Sequence, residues 1–221
     1  MSHQEESEAD LAARQTSFDF GPPRPSVRGP RQGERRSFLE VIGRAFLDDP
    51  VAIHLFPNEK QRSARFGRFA GLAMDSMGPA AHLLTTDTLR GAAIWQRPGP
   101  AAPRPTTRLH QLKQAIGFLA VARFSARRAI RFSELARHHH PKEPHYYLAI
   151  LGTDPPHQGQ GIGSALVQTV LDRCDHEGIP AYLESSNENN IAFYQGHGFE
   201  VQAELTLPGG PCIWPMLRPR P

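Results

Sequence analysis

A glycine-rich segment is the part of this sequence whose residue types and spacing point most directly to chemistry. It spans residues 158–163 and reads QGQGIG, between an apolar segment and a helical one. The first amides of a helix have no intrahelical partner and lie at the positive end of the helix dipole. Glycines keep side chains away from those amides, so the segment predicts a site for a phosphate group.

The spacing of these glycines narrows the class of phosphate ligand. A P-loop would end in Gly-Lys followed by Ser or Thr, and no such ending is present here. A dinucleotide-binding loop would read Gly-x-Gly-x-x-Gly, whereas these glycines alternate with other residues from 159 to 163. An acidic residue, Glu184, does lie on the next predicted strand. A nicotinamide-dependent enzyme therefore stays open as an alternative at this point.

Two elements must hold the glycine segment in place. Residues 145–151 are aromatic and apolar and are bounded by Pro144 and Gly152, which predicts a buried strand. From Ile162 to Glu177 apolar residues recur every four positions, and Gly178 follows them. This pattern predicts an amphipathic helix with a glycine C-cap. Strand, loop and helix thus follow in the order that presents helix amides to an anion.

Further elements are predicted upstream from hydrophobic periodicity. They are helices at 37–48 and 59–76, strands at 82–86 and 89–96, and a helical segment at 109–137. Asp49-Pro50 is expected to end the first helix, because the residue before proline avoids helical geometry. Residues 1–33 are rich in charge, Pro and Gly and are expected to form a disordered tail. A single domain is then predicted at 34–221.

Composition argues against several classes of partner. The chain of 221 residues has 25 basic and 22 acidic side chains, a net charge of +3, which does not predict a nucleic-acid partner. No run approaches the ~20 apolar residues of a membrane helix, and the N-terminus has no apolar signal core. We therefore expect no membrane partner and a cytoplasmic location. Cys174 and Cys212 are too few for a disulfide framework.

A run of three histidines, at 138–140, raises the question of a metal site. Adjacent residues point in different directions on a helix, and no cysteine or carboxylate cluster accompanies the run. We therefore expect an exposed helix end before Pro141 and no metal.

The glycine segment and its surroundings resemble a known family. Residues 151–163 resemble the acetyl-CoA motif of the GCN5-related N-acetyltransferase (GNAT) superfamily, Gln/Arg-x-x-Gly-x-Gly/Ala, with Gln158, Gly161 and Gly163 at its defined positions. The second motif of that family appears at 187–194, which reads NENNIAFY. Within the superfamily, residues 141–144 and 207–211 resemble puromycin N-acetyltransferase and its relatives.

The resemblance implies a fold and a co-substrate. The fold would be mixed α/β, with a mostly antiparallel central sheet that splays between its two central strands and is flanked by helices. The co-substrate would be acetyl-CoA, with no metal. The residues that the resemblance assigns to acetyl-CoA are Leu151, Gly152, Thr153, Gln158, Gly159, Gln160, Gly161, Ile162, Gly163, Ser164, Asn187 and Asn190.

Two residues are candidates for the acid–base chemistry. Tyr194 matches the family's tyrosine general acid, and its ordinary pKa of ~10 lies above the ~8.5 of a thiol. Glu184 is the first candidate for the base, because a carboxylate on a strand next to apolar Leu183 is costly unless it has a purpose. His145 and Tyr147, on the neighbouring strand, remain alternatives.

The expected function is direct transfer of acetyl from acetyl-CoA to a primary amine of a small molecule, such as an aminonucleoside. Acetylation of proteins or peptides, and a catalytically silent acyl-CoA sensor on the same fold, stay open as alternatives. The sequence predicts a monomer or a homodimer and contains no motif that identifies the acceptor.

Overall fold

The computed structural model describes residues 25–99, 128, 131, 134–135, 138–207 and 209–221. Its helices are α1 (Arg35–Ala45), α2 (Pro50–Leu55), α3 (Glu59–Met77), α4 (Ile162–Glu177) and α5 (Ile191–Gln195). Its strands are β1 (Val27–Arg28), β2 (Ala81–Thr86), β3 (Gly91–Gln96), β4 (Tyr146–Thr153), β5 (Ala181–Ser185), β6 (Glu200–Val201), β7 (Leu205–Thr206) and β8 (Cys212–Arg218). Short 3-10 helices lie at Gly78–Ala80, Pro155–His157 and Glu188–Asn190.

The strands form a mixed sheet in the order β1-β2-β3-β4-β5-β8-β6, and β7 pairs with β8. The β4–β5 pair is parallel, and the other pairs described are antiparallel. Helices α1 to α3 pack on one face, and α4 packs on the other. This architecture confirms the predicted mostly antiparallel mixed sheet. It also differs from the mostly parallel, doubly wound sheet to which the Gly-x-Gly-x-x-Gly dinucleotide-binding loop belongs.

The two central strands separate after a short stretch of pairing. β4 and β5 pair only from Tyr146 opposite Ala181 to Leu148 opposite Leu183. On its other side, β4 pairs with β3, but the register shifts so that Ala149 is an extra residue. Such a bulge bends the strand that carries it. The bulge thus lies where β4 departs from β5, and the gap opens from there.

The bulge also changes which face of the sheet the β4 side chains occupy. Tyr146 and Leu148 alternate normally and pack against α4, whereas Ala149 and Ile150 both belong to the core beneath α1 to α3. Two successive residues on one face break the period of two that strands otherwise keep. Leu151 then returns to the α4 side. The bulge therefore sets the direction of every β4 side chain that borders the gap.

The predicted end of the first helix is wrong. α1 ends at Ala45, and Asp49 begins a separate helix, α2, with its side-chain Oδ1 accepting a hydrogen bond from Ala52 N at 2.9 Å. Pro50 occupies the first helical position, where its missing N–H costs nothing. The extended geometry that proline imposes on the preceding residue also suits an N-cap. Asp49-Pro50 is thus a start signal in this chain.

The segment predicted to be a tail contributes to the sheet. Val27 and Arg28 pair with Thr86 and Thr85. The Arg28 guanidinium lies 2.7 Å from a carboxylate oxygen of Glu34 and fixes the approach to α1. The ordered domain therefore begins before residue 34. Residues 1–24, the proline-rich stretch after residue 99 and most of the predicted helical segment at 109–137 lie outside the described residues.

The helices predicted at 59–76 and 162–177, and the strands predicted at 82–86, 89–96 and 145–151, are present with small shifts at their ends. Across the described residues, none of the helices has the length and apolar character needed to span a bilayer.

Helices α1 and α3 approach each other closely at glycines. A Cβ atom on Gly43 would overlap the backbone carbonyl oxygen of Ser63, and one on Gly67 would lie 2.7 Å from the carbonyl oxygen of Leu39. Real Cβ atoms do not approach backbone oxygens this closely, so the crossing requires glycine at both positions. This crossing holds α1 against the sheet, next to the gap between β4 and β5.

Gly43→Ala should lower the free energy of unfolding by about 2–3 kcal/mol, because overpacking a tight contact outweighs the better helix propensity of alanine. Gly71→Ala in α3 is the matched control, since its Cβ would meet a movable Leu39 methyl group at 3.1 Å. Urea unfolding of both variants measures the difference. Equal stability of the two variants would contradict the close crossing.

Candidate active site

A cavity of about 550 Å³ lies where β4 and β5 diverge. Its walls come from the α1–α2 connection, α3, β4, β5, the loop after β5 and α5. The predicted site residues that line it are Leu151, Gln158, Glu184, Asn187, Asn190 and Tyr194. The structure therefore brings the candidate base, the candidate acid and part of the predicted acetyl-CoA set to one cavity.

The glycine loop lies next to this cavity at the start of α4. Gly159 and Gly161 have φ values of 74° and 75°, in the left-handed region that favours glycine. Gly161 is the N-cap of α4 and, being glycine, supplies no side-chain cap to the helix. A Cβ at either glycine would meet nothing within 4 Å. The amides at this helix start are therefore open to an anionic ligand.

The other predicted loop residues differ in which of their atoms are accessible to a ligand. The Ile162 side chain is buried in the core, so only its backbone can face a ligand. Gly163 lies under the Phe193 ring, which an added Cβ would approach to 3.4 Å. Gln158 Nε2 donates to the Thr153 carbonyl at 3.3 Å. Gln160 is exposed and Ser164 is half-buried.

The outer half of β4 presents an unpaired backbone edge to the gap. Leu151, Gly152 and Thr153 pair with β3 on one side, and beyond Leu148 no described strand pairs with the other side. An extended ligand can add to such an edge as a further strand would. Gly152 also packs against α1, where an added Cβ would lie 2.7 Å from the Ala45 Cβ.

An ion pair holds α1 to the junction between β4 and the glycine loop. Arg44 Nε and Nη2 each donate to a different oxygen of Asp154 at 2.8 Å. The hydrogen bonds from Arg44 lower the pKa of the Asp154 carboxyl and raise that of the guanidinium. Bidentate pairing of this kind fixes both distance and angle. The start of the loop therefore has a defined position relative to the cavity wall.

Tyr194 is buried on α5, with 8% of its surface exposed, and lines the cavity. Its ring contacts Phe193 and Phe199, with centroids 5.1 Å and 6.0 Å away. Burial, and secondarily the Asp49 carboxylate, raise the pKa of the Tyr194 phenol above its ordinary value. The hydroxyl therefore stays protonated at neutral pH and can donate a hydrogen bond into the cavity.

Glu184 lies on β5 with its side chain 4% exposed, and it belongs to the lining of the cavity. Among the described residues, its Oε1 atom has no hydrogen-bond partner. An unpaired buried carboxylate oxygen is costly, and this one borders a cavity large enough for a ligand. The arrangement suits a group that accepts a proton during a reaction.

The alternative bases are placed less favourably. Burial, aided by the Glu184 charge, raises the pKa of Tyr147 well above its ordinary value, so its hydroxyl is a poor base. His145 does not belong to the cavity lining, and its Nδ1 lies 2.6 Å from the carbonyl oxygen of Glu143. Burial lowers the pKa of His145.

Two residues that were not predicted as site residues, Asp49 and Ser186, also line the cavity. Ser186 Oγ donates to Asp49, and burial raises the pKa of the Asp49 carboxyl. The signal for Asp49 was present as an Asp-Pro pair, which is typical of a helix start. On the neighbouring loop, Asn187 Oδ1 accepts from Asn189 N at 3.0 Å, and Asn190 is exposed.

Comparison with known proteins agrees with this geometry. The acetyltransferase (GNAT) family model matches residues 90–199. An uncharacterized N-acetyltransferase of Schizosaccharomyces pombe is 37% identical over 62 residues, which are 28% of this chain and 25% of that protein. N-alpha-acetyltransferase 50 of Danio rerio is 34% identical over 67 residues, 28% of this chain and 40% of that protein. The matches span 9% to 40% of the length of such curated relatives.

Solved structures share the fold over most of the chain. A histone acetyltransferase HPA2-related acetyltransferase from Corynebacterium glutamicum has a TM-score of 0.67 at 22% identity, and covers 90% of this chain and 97% of its own. The PaiA N-acetyltransferase of Thermoplasma acidophilum, solved with coenzyme A, has a TM-score of 0.53 at 12% identity, over 88% and 98% of the chains. This splayed mixed sheet is the GNAT fold. The family-model match assigns residues 90–199 to the GNAT acetyltransferase family.

Proposed function

We propose that this protein transfers the acetyl group of acetyl-CoA directly to a primary amine of a small molecule. The observation that carries the proposal is that Glu184 and Tyr194 line one cavity, in the gap beside an uncapped helix start. The family match supports acetyl transfer as the reaction. The side chains that line the cavity support a small amine as the acceptor.

The donor would occupy the loop and the open edge of β4. Its pyrophosphate would accept hydrogen bonds from the amides between Gly159 and Ser164, at the positive end of α4. Its pantetheine arm would pair with the backbone of Leu151–Thr153, with Gln158, Asn187 and Asn190 as side-chain contacts. An amide near Leu151 or Gly152 would then polarise the thioester carbonyl.

The two catalytic side chains would divide the proton chemistry. As the amine attacks the thioester carbon, Glu184 takes a proton from the nitrogen, directly or through water. Tyr194 donates its O–H to the departing sulfur. The pKa of Tyr194 is raised above that of a thiol. The phenol therefore stabilises the thiolate by donating a hydrogen bond more readily than by giving up its proton.

The acceptor half of the cavity combines aromatic and acidic groups. Phe46, Phe66 and Phe69 line it, and the Phe46 and Phe66 rings stack with centroids 4.4 Å apart. Asp49 and Glu184 supply the acidic groups, which suits an amine carried on an aromatic or apolar body. An aminonucleoside such as puromycin is the first acceptor to test, since residues 141–144 and 207–211 resemble enzymes that acetylate it.

The test is release of free thiol from acetyl-CoA with a panel of amines, and mass spectrometry of the product. The panel contains puromycin, arylalkylamines, polyamines and peptides with free N-termini. We expect turnover with small primary amines. Faster acetylation of peptides would favour the activity named for the Danio rerio relative. Binding of acetyl-CoA without turnover of any amine would favour a sensor.

A further inference from the structure

A partly exposed histidine lies beside the buried carboxylate of the cavity. The Glu184 side chain is 4% exposed, and the His140 side chain is 32% exposed. His140 Nδ1 is 3.7 Å from Glu184 Oε1, the atom that has no hydrogen-bond partner among the described residues. The histidine run was expected to be an exposed helix end, and this holds for His138 and His139 but not for His140. His140 connects the buried carboxylate with solvent.

Aromatic neighbours fix the orientation of the His140 ring. Its centroid lies 4.8 Å from that of Tyr147, 4.9 Å from that of Tyr182 and 4.6 Å from that of His145. Together with Glu184, these are the titratable groups that face His140 among the described residues. Burial and the Glu184 charge raise the pKa of both tyrosines, so neither competes for a proton at neutral pH.

The hydrogen bonds around His145 determine where the His140 proton lies. His145 Nδ1 must donate to the Glu143 carbonyl, because a carbonyl oxygen only accepts. Burial lowers the pKa of His145 and keeps it neutral, so its Nε2 is an acceptor. His140 Nε2 lies 3.0 Å from that atom and must donate to it. In a neutral His140 ring, the Nδ1 lone pair is therefore left facing Glu184.

We propose that His140 is the proton-relay partner of Glu184, an inference that rests on the acetyl transfer proposed above. When an N–H bond of the attacking amine breaks, an O–H bond forms on Glu184. The two side chains then close the 3.7 Å between Oε1 and Nδ1, the O–H bond breaks, and an N–H bond forms on His140 Nδ1. This restores the carboxylate and leaves an imidazolium whose Nε2–H still bonds to His145. A water molecule that reaches Nδ1 from the solvent-exposed side of His140 then takes this proton: the Nδ1–H bond breaks, an O–H bond forms on water, and the neutral ring is restored.

The first test needs no activity. In ¹⁵N spectra of histidine-labelled protein at one fixed pH, we expect His140 as the Nε2–H tautomer. We also expect its Nδ1 resonance to move in Glu184→Gln, while the exposed His138 does not respond. A neutral His140 protonated on Nδ1, or an Nδ1 resonance that ignores Glu184→Gln, would overturn the proposal.

The second test is the pH dependence of acetyl transfer in His140→Phe, which keeps an aromatic ring but removes the proton site. We expect kcat to fall about 10-fold and acetyl-CoA affinity to stay unchanged. The acidic limb of the kcat/KM profile should differ from that of the wild-type protein, because one of the two proton sites has been removed. His138→Phe is the control and should match wild type. A wild-type profile in His140→Phe would contradict the relay.

Chemical rescue separates a relay from a packing role. In His140→Ala, added imidazole should restore part of the lost turnover at neutral pH, whereas a purely structural defect would not respond. Absence of rescue would count against the relay. If the wild-type protein acetylates no amine in the panel, the proposed function fails, and the ¹⁵N spectra still decide whether Glu184 and His140 form the pair.

Discussion

Gly161→Leu should weaken acetyl-CoA binding about 100-fold, because two charge-assisted hydrogen bonds worth about 1.5 kcal/mol each would be lost. Gly161 has φ 75° at the N-cap of α4, and a Cβ there would meet no atom within 4 Å. The Cβ of the new side chain therefore clashes with nothing in the described chain. Its added side chain would occupy the space in front of the helix amides, where the pyrophosphate is expected to bind.

The other end of the same helix provides the control. Gly178 is the C-cap of α4, with φ 63° and equally open space around its Cβ position. Gly178→Leu imposes a similar left-handed strain, about 1–2 kcal/mol, without touching the anion site. Isothermal titration with acetyl-CoA should show a large loss for Gly161→Leu and none for Gly178→Leu, at similar melting temperatures. Equal affinities of the two variants would reject the loop assignment.

Local patterns in the sequence predict much of this fold. The apolar spacing of α4, its glycine C-cap and the strand ahead of it depend on residues close in the chain, and each is present. Asp49-Pro50 was wrongly predicted to end a helix, because proline restricts the residue before it in the same way at a helix end and at a helix start. Which of the two applies depends on the apolar residues of Pro50–Leu55 finding a core, and that is a tertiary property.

The residues of the candidate site also differ in whether local sequence patterns could predict them. The glycine loop and Tyr194 lie in contiguous motifs, so the sequence was sufficient to select them. The partners of Glu184 were not visible, because His140 reaches it from a distant part of the chain and only the fold brings them together. The bulge at the start of the gap contains a single extra residue, Ala149, and this irregularity appears only when β3 pairs with β4.

Tyr194→Phe should reduce kcat for acetyl transfer about 100-fold, within the range typical of losing a general acid or its hydrogen bond. The phenol is buried against Phe193 and Phe199, and phenylalanine would keep that packing. The affinity for acetyl-CoA should be unchanged, because the hydroxyl acts on sulfur that becomes negative only as the thioester breaks. The raised pKa keeps the wild-type phenol protonated through neutral pH, so the defect should not depend on pH there.

Tyr146→Phe is the matched control for this prediction. Tyr146 is equally buried, at 2% exposure, but its hydroxyl donates to Glu177 at 2.8 Å on the α4 side of the sheet, away from the cavity lining. Its loss should lower stability by about 1 kcal/mol and leave kcat intact. Stopped-flow or steady-state thiol release for both variants measures the contrast. Should Tyr194→Phe retain the wild-type turnover number while Tyr146→Phe behaves as expected, Tyr194 would be a core tyrosine, and the leaving thiolate would have to draw its proton from solvent.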